Sequence, residues 1–350
     1  MMLRGIGRLG RAAGQIRNRL GRGALILTYH RIAELPSDPQ LLCVTPQNFS
    51  EQLDILKKHC CPMRLQELAQ ARWEGKLPNR ALAVTFDDGY EDNLYNAKPL
   101  LERHDIPATV FVATGSLVQD CEFWWDELDR LFLQPGILPG GLRLTLNGST
   151  IQYALGQAAH YNEETYRRHL RWDVEQKNNP SPRHELYRLL CRLLRPLPDR
   201  KRHEVLVELL AWSGAEPKAR STHRALSVDE VVDLAEGGIV EVGSHTVTHS
   251  VLSVLPTQEQ WYEIHGSKTS LEEILGSPVN SFAYPYGSRS DYTSKTANLV
   301  DEAGFGLACS NFPGFVWQRT DRFQLPRILV RDWDGKEFER RMGEWFDGLI

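Results

Sequence analysis

The chain has 350 residues, 41% of them hydrophobic, so it can bury a large core and is not globally disordered. Its formal net charge of -4 argues against a general nucleic-acid binder, and no apolar run reaches the roughly 18 residues of a membrane-spanning helix. Six scattered cysteines without a Cys-x-x-Cys pair favour reduced thiols in a soluble, cytoplasmic protein.

The first 23 residues carry six arginines and no acidic residue. Apolar residues recur in this tail at helical spacing, which predicts a basic amphipathic helix that could contact an anionic membrane at the inner surface. Several glycines each weaken such a helix by about 1 kcal/mol. A frayed basic tail is therefore an equal alternative for residues 1–23.

Strands and helices alternate in the next hundred residues. A first strand over Ala24–His30 ends in a histidine, and Thr45-Pro46 predicts the start of a helix. The apolar run Ala81–Val84 predicts a buried strand, Asn93–His104 a helix, and Pro107–Ala113 another strand. This alternation predicts an α/β fold with a parallel sheet and crossover helices.

The alternation stops at about Cys121 and resumes after residue 224. Residues 121–224 predict a mostly helical insertion with a hairpin near Leu142–Tyr153 and helices within Glu163–Trp212. Trp124 and Trp125 begin this insertion. They suit stacking on a sugar ring, although packing against the barrel is the commoner role of such a pair.

The last third of the chain resumes the pattern of helices and strands. Ser227–Gly237 predicts a helix with a capping box, and Ile239–Val242 a strand that leads into Gly243-Ser244-His245-Thr246-Val247-Thr248-His249. A helix over Thr257–Leu275 and the block Phe282-Ala283-Tyr284-Pro285-Tyr286-Gly287 follow. A further helix through Leu299 and Ala303 precedes strands near Phe305–Ala308 and Ile328–Val330.

Two adjacent carboxylates, Asp87 and Asp88, end the strand Ala81–Val84 in the block Thr85-Phe86-Asp87-Asp88-Gly89-Tyr90. Neighbouring carboxylates disfavour each other's charge, and a metal cation resolves that conflict. A solvated Asp-Asp-Gly turn is the alternative. His245 and His249 are four residues apart, so in a helical turn both imidazoles would face the same way. Two histidines and one carboxylate form a common catalytic metal site.

A divalent metal acidifies water and polarises a carbonyl, which suits hydrolysis of an amide or ester. A carboxylate must then take a proton and a histidine must deliver one to the leaving nitrogen. Asp87 and His30 are the candidates by type, although a histidine that ends a buried strand can also be purely structural. The backbone amide of Tyr286 is a candidate donor to the developing oxyanion.

These motifs resemble the polysaccharide deacetylases, the NodB-homology domains of carbohydrate esterase family 4. The block around Asp87 and Asp88 is similar to that family's first motif, His245–His249 to its second, and Phe282–Gly287 to its third. The resemblance implies a distorted (β/α)7-type barrel over residues 24–120 and 225–350. It also implies metal-dependent removal of an N-acyl group from an amino sugar.

Carried over by position, the resemblance implies that Asp87 is the catalytic base and that Asp88, His245 and His249 bind the metal. Tyr286 would donate its amide to the oxyanion. Zinc is the default metal, and this ligand set also suits cobalt, nickel or iron.

Two positions depart from the family pattern. Ala283 stands where the third motif has an arginine, and Leu325–Ile328 lacks the family's C-terminal catalytic histidine. Some members resemble a circularly shifted version with that histidine on the first strand, which makes His30 the expected acid. Arg327 is a candidate replacement for the missing arginine beside Asp87, with a surface or structural role as the alternative.

The sequence therefore predicts a cytoplasmic hydrolase that removes the N-acetyl group from an amino sugar of a polysaccharide or a glycan precursor. The precursor could be lipid-linked, which would agree with a membrane-bound tail. The alternatives are a deformylase or other amidohydrolase on a lipid- or nucleotide-linked sugar, and a non-catalytic sugar-binding protein with a structural metal. No nucleic-acid partner is expected.

Overall fold

The computed structural model describes residues 23–117, 121–146 and 148–348. Except for Gly23, the predicted basic tail lies outside the described residues. The described chain divides into two compact units. The first holds the described parts of Met1–Glu34, Cys43–Val118 and Leu226–Ile350, and the second those of Leu35–Leu42 and Gln119–Ala225.

The strands of the first unit are short and mostly apolar. They are β1 (Leu25–Tyr29), β2 (Arg31–Ile32), β3 (Cys43–Val44), β4 (Cys61–Pro62), β5 (Ala81–Phe86), β6 (Ala108–Val112), β11 (Val240–Ser244), β12 (Ser281–Ala283), β13 (Leu307–Cys309) and β14 (Ile328–Leu329).

One parallel sheet organises the first unit. Its strands lie in the order β13-β12-β11-β6-β5-β1-β14, with β4 paired to the start of β5. Leu325, three residues before the edge strand β14, bridges to the other edge strand, β13: it donates its N–H to Ala308 O at 2.9 Å and accepts from Ser310 N at 2.9 Å. The sheet thus curls toward closure, and the predicted α/β fold with a distorted (β/α)7-type barrel is confirmed.

Helices cover the outside of this sheet, as parallel strands require. They are α1 (Pro46–His59), α2 (Leu65–Trp73), α3 (Lys98–His104), α8 (Val228–Ala235), α9 (Thr257–Trp261), α10 (Ser267–Leu275), α11 (Ser294–Glu302) and α12 (Gly335–Phe346). Thr45 caps α1, and Ser227 and Glu230 form the predicted capping box of α8. The sequence analysis did not predict α2, α12 or the short strands β2, β3 and β4.

The core has an inner and an outer part because side chains alternate along each strand. Ile26, Ala81 and Ala83 belong to the inner cluster, whereas Leu82 and Val84 belong to the cluster beneath the helices. Small residues on the inner face leave room for the long side chains described below.

Two helical runs of the first unit contain a π-helical turn. Asn93–Ala97 precedes α3, and Tyr262–Gly266 joins α9 to α10. Such turns shift the residues that follow them around the helix axis and are frequent near functional sites. Both lie next to segments that carry candidate site residues.

The second unit contains helices and short antiparallel strands. These are α4 (Trp124–Phe132), α5 (Glu163–His169), α6 (Pro182–Leu194), α7 (Asp199–Ser213), β7 (Gly136–Ile137), β8 (Gly141–Leu146), β9 (Ser149–Ala154) and β10 (His160–Tyr161). The predicted hairpin is β8–β9. Trp124 and Trp125 are only 9% and 5% exposed, and Phe123 stacks on Trp125 at 4.8 Å between ring centroids. Both indoles therefore pack inside this unit.

None of the helices within the described ranges has the length and apolar character needed to cross a membrane.

Candidate active site

Asp87 and Asp88 directly follow β5, and both are almost completely buried. Asp87 continues the pairing of β5 with β1, because its N–H donates to Tyr29 O at 3.0 Å. Asp88 then turns the chain with a φ of 74°, a left-handed value unusual for a non-glycine residue. The two carboxylates contact different partners as a result.

Asp87 is paired with Arg327. The guanidinium donates to both carboxylate oxygens at 2.7 Å, and its Nε donates to Ser310 O at 2.8 Å. Burial alone would raise the pKa of Asp87, but the charge of Arg327 outweighs it and lowers the pKa below the ordinary value. Asp87 is therefore held as a carboxylate.

Arg327 lies over the ring of Phe111, with 5.6 Å from its guanidinium carbon to the ring centroid. Gly243 makes room for that ring, since a Cβ there would lie 2.5 Å from it. The ring of Phe111, on the inner face of the barrel, thus packs against the guanidinium of Arg327. The sequence predicts Arg327 beside Asp87 only as one of two alternatives. In the structure these two side chains are in contact.

Asp88, His245 and His249 form a buried cluster of three potential metal ligands. One ligand atom from each lies within 4.8 Å of the others. Asp88 Oδ1 is 3.6 Å from His245 Nε2 and 3.2 Å from His249 Nε2. His245 Nδ1 makes a 2.8 Å hydrogen bond with Ala283 O, to which only a protonated nitrogen can donate. The Nε2 lone pair therefore faces Asp88, as a metal ligand requires.

The protonation states also suit a divalent cation. Burial, and then the charge of His249, lowers the pKa of His245 to about 4 against the opposing carboxylates, so this imidazole is neutral at pH 7. Burial raises the pKa of Asp88 above its ordinary value. A cation would favour the ionised carboxylate and the neutral imidazoles together. The residues present fit a divalent metal.

The turn between the two histidines is not helical, so that part of the prediction is wrong. Thr246 and His249 have φ values of 68° and 54°, and the Thr246 hydroxyl accepts a 3.1 Å hydrogen bond from His249 N–H. Left-handed residues break the helical repeat. The imidazoles converge because of this specific loop shape and not because of a four-residue helical spacing.

Backbone strain is concentrated at this end of the barrel. Among the described residues, seven non-glycines have a positive φ, and four of them lie in the candidate site, namely Asp88, Thr246, His249 and Tyr286. Such conformations cost on the order of 1–3 kcal/mol each and persist where surrounding contacts impose them.

His30 directly follows β1 and is half-buried. Its Nδ1 has no hydrogen-bond partner among the described residues. Burial lowers the pKa of His30, while the charges of Asp88 and Asp87 raise it, which places the imidazole within electrostatic reach of both. Asn93 fixes the backbone here by donating to His30 O at 2.8 Å.

Tyr286 lies in a turn beside the metal-ligand cluster. Its φ is 60°, and its ring packs edge-on against His249 at 4.8 Å between centroids. Gly287 follows with a φ of 65°. Its N–H donates to Pro285 O, and its carbonyl oxygen accepts from Asn311 N–H. The third predicted motif thus lies at the same edge of the sheet as the first two.

Several residues that shape the site were not predicted. Asp92 binds the backbone N–H of Ile32 at 2.8 Å and the side chain of Arg31 at 2.9 Å, next to His30. Glu263 binds the loop between the two histidines. A buried acid two residues after the Asp87 motif block could have been paired with the arginine that follows His30. No local sequence pattern marks Glu263.

Solved structures with low sequence identity share this fold. A deacetylase PplD from Streptococcus pyogenes, solved with acetate, is 17% identical, with a TM-score of 0.57 over 92% of this chain and 99% of that one. IcaB from Ammonifex degensii is 18% identical, with a TM-score of 0.57 over 93% and 98% of the two chains.

Curated relatives match over a shorter stretch. The poly-beta-1,6-N-acetyl-D-glucosamine N-deacetylase of Staphylococcus aureus is 31% identical over 110 residues, which cover 28% of this chain and 38% of that protein. The same enzyme from Staphylococcus epidermidis is 34% identical over 109 residues, covering 27% and 37%. The match thus spans well under half of these relatives' length.

The family model described as Polysaccharide deacetylase matches residues 74–136 and 215–306. The first segment contains Asp87 and Asp88, and the second contains His245, His249 and Tyr286. His30 and Arg327 lie outside both segments. Since the matched motifs converge in one buried cluster on the fold of known deacetylases, this chain belongs to the polysaccharide deacetylase family.

Proposed function

We propose that this protein is a metal-dependent hydrolase that removes the N-acetyl group from an amino sugar of a polysaccharide or a glycan precursor. The observation that carries the proposal is the buried convergence of Asp88, His245 and His249 beside a second carboxylate, Asp87, that is kept ionised. Three ligands leave coordination positions for water and substrate, as catalytic metal sites do.

Asp88, His245 and His249 would hold the cation, with zinc as the default and cobalt, nickel or iron as alternatives. When bound, it would polarise the amide carbonyl and make water more acidic. The hydrogen bond from His245 Nδ1 to Ala283 O fixes the imidazole with Nε2 toward the site.

Asp87 would take the proton from the attacking water. Its pairing with Arg327 keeps it ionised, and the bidentate contact fixes the plane of the carboxylate. His30 would give a proton to the leaving nitrogen. Its burial favours the neutral imidazole, so a proton received there is readily passed on. The amide of Tyr286 would donate to the oxyanion.

The substrate class follows from the curated relatives, whose printed activity is N-deacetylation of poly-beta-1,6-N-acetyl-D-glucosamine. We therefore assign an N-acetylated glucosamine oligomer as the first substrate to test. A deformylase or other amidohydrolase would release a different acid from its own substrate. The cytoplasmic compartment, a lipid-linked substrate and membrane contact through residues 1–23 stay predictions.

The test combines metal analysis with product analysis. Protein loaded with zinc is incubated with β-1,6-linked N-acetylglucosamine oligomers, and released acetate is measured. Asp87→Asn should abolish release while metal content stays at the wild-type level. Asp88→Ala should lose both.

Zinc binding without turnover of acetylated or formylated sugars would favour a sugar-binding protein with a structural metal. Full activity in Asp88→Ala would refute the metal-dependent mechanism.

A further inference from the structure

The loop Thr246–Thr248 between the two histidine ligands is held by one buried carboxylate, that of Glu263. Glu263 Oε2 accepts from the backbone N–H of Val247 at 2.9 Å and of Thr248 at 2.8 Å. Its Oε1 accepts from the Thr248 hydroxyl at 2.6 Å. All three bonds involve an anionic acceptor, which makes them stronger than neutral hydrogen bonds.

Glu263 reaches this loop from the π-helical turn Tyr262–Gly266. The residue itself is only 5% exposed, so its contacts are shielded from water. The next helix, α10, is anchored to the end of β11 by the 2.6 Å contact between the Ser244 and Ser267 hydroxyls. The carboxylate is therefore presented from a fixed element.

Backbone hydrogen bonds hold the opposite side of the loop. Gly115 N–H donates to Val247 O at 2.7 Å, and Thr114 N–H donates to Thr246 O at 3.1 Å. The turn that follows β6 thus binds the loop carbonyls, while Glu263 binds the loop N–H groups. Between these two supports the chain adopts the left-handed φ values of Thr246 and His249.

These contacts have a consequence for the cation site. Left-handed non-glycine residues are costly and need outside contacts to persist. Glu263 supplies those contacts midway between the two imidazoles, whose Nε2 atoms must both lie near Asp88. We propose that Glu263 is a positioning residue that sets the metal affinity of the Asp88, His245 and His249 site. This inference rests on the proposed function, because it assumes a metal there.

The test measures metal affinity directly. Zinc affinity is determined by competition with a chromogenic chelator, and cobalt binding by visible absorption, whose bands report ligand geometry. Glu263→Ala should lower zinc affinity roughly tenfold to a hundredfold and change the cobalt spectrum. Glu263→Gln keeps a polar side chain of the same shape with one acceptor oxygen, so it should lose less zinc affinity than Glu263→Ala. It is measured in place of the alanine variant if that variant does not fold.

Glu272 provides the matched control. It also binds a backbone N–H, that of Val279 at 2.9 Å, but ahead of β12 and thus at the opposite end of the barrel. Glu272→Ala should leave zinc affinity and the cobalt spectrum unchanged.

Wild-type affinity in folded Glu263→Ala or Glu263→Gln protein would overturn the positioning role and leave the proposed function intact. An equal loss of affinity in Glu272→Ala would also overturn it, because general destabilisation would then suffice. Wild-type protein that binds neither metal would overturn both the positioning role and the proposed function.

Discussion

The guanidinium of Arg327 contacts both carboxylate oxygens of Asp87 at 2.7 Å, and both side chains are almost completely buried. Two buried charges are costly unless their geometry is good and their remaining hydrogen bonds are made. Arg327 meets that condition through Ser310 O and the ring of Phe111. Arg327 directly precedes β14, and its role in place of the arginine that the family pattern has at position 283 stays a prediction.

Replacing Arg327 by Met should raise the pKa of Asp87. A base works only when deprotonated, so activity is lost as the pH falls through its pKa. With Asp87 as the proposed base, its low pKa should keep the wild type active at acidic pH, and a raised pKa should move the acid limb of the pH–rate profile to higher pH. The measurement is kcat/KM for acetate release against pH.

Arg322 gives the control for this change, since its 2.9 Å ion pair with Asp301 is solvent-exposed. Arg322→Met should cost at most about 1 kcal/mol of stability and leave the pH profile in place. An unshifted acid limb in folded Arg327→Met would show that Arg327 has only a structural role.

Replacing His30 by Gln should lower kcat by roughly a hundredfold to ten-thousandfold, the usual range for loss of a general acid. Gln keeps similar volume and polarity but cannot deliver a proton. Zinc content should not change, because His30 is not among the three potential ligands. Steady-state acetate release and metal analysis on the same samples check both expectations.

His59 is the control histidine, because it ends α1 just ahead of β4, which pairs with the start of β5, and so lies away from the candidate site. His59→Gln should retain wild-type kcat. If His30→Gln retains it too, the acid must be another group.

The local motifs were readable from sequence because each occupies one short stretch. In parallel α/β folds, ligand sites lie beyond the carboxyl ends of the strands, so a buried strand that ends in two carboxylates or in a histidine predicts site residues. The order of the elements then places those strand ends on one edge. That is why the residues of the metal-ligand cluster and the barrel could be predicted.

The supporting contacts were not readable because they join distant segments. Arg327 is 240 positions from Asp87, and its hydrogen bonds depend on how the barrel curls. Glu263 binds the histidine loop from a π-helical turn, 15 or more positions further along the chain than the residues it contacts. The left-handed turn at Thr246 was missed for a related reason, since its sequence suits a helical turn equally well.

Replacing Gly287 by Ala should reduce both stability and turnover. Gly287 has a φ of 65°, and an added Cβ would lie 2.7 Å from the backbone nitrogen of Asn311, which cannot move without breaking its bond to Gly287 O. The turn would have to shift and would carry the Tyr286 amide with it. Thermal unfolding and kcat are the measurements.

Gly276 separates backbone strain from this steric effect. Its φ is 62°, but no atom lies within 4 Å of the position of an added Cβ. Gly276→Ala should therefore lose about 1 kcal/mol of stability and no activity. Equal effects of both substitutions on kcat would contradict a role for the 285–287 turn in catalysis.

The second unit should lose stability on mild acidification because of His184. This imidazole is 2% exposed and packs edge-on against Trp172 at 4.7 Å between centroids. Burial, and then the positive charges of His169 and Arg183, lowers its pKa to about 3. An unfolded chain has the ordinary histidine pKa of about 6.5, so between these values it binds a proton that the folded state excludes.

The sign of the pH effect follows from that difference. The free energy of unfolding falls as the pH drops below about 6.5, by up to about 1.4 kcal/mol per pH unit, and this loss continues toward pH 3. His184→Phe keeps an aromatic ring but cannot titrate, so its unfolding free energy should depend less on pH in this window. Urea unfolding at several pH values from 7 to 4 measures the slopes. His203 is exposed on α7, and His203→Phe should leave the wild-type slope unchanged; a wild-type slope in His184→Phe would show that other groups govern the acid sensitivity.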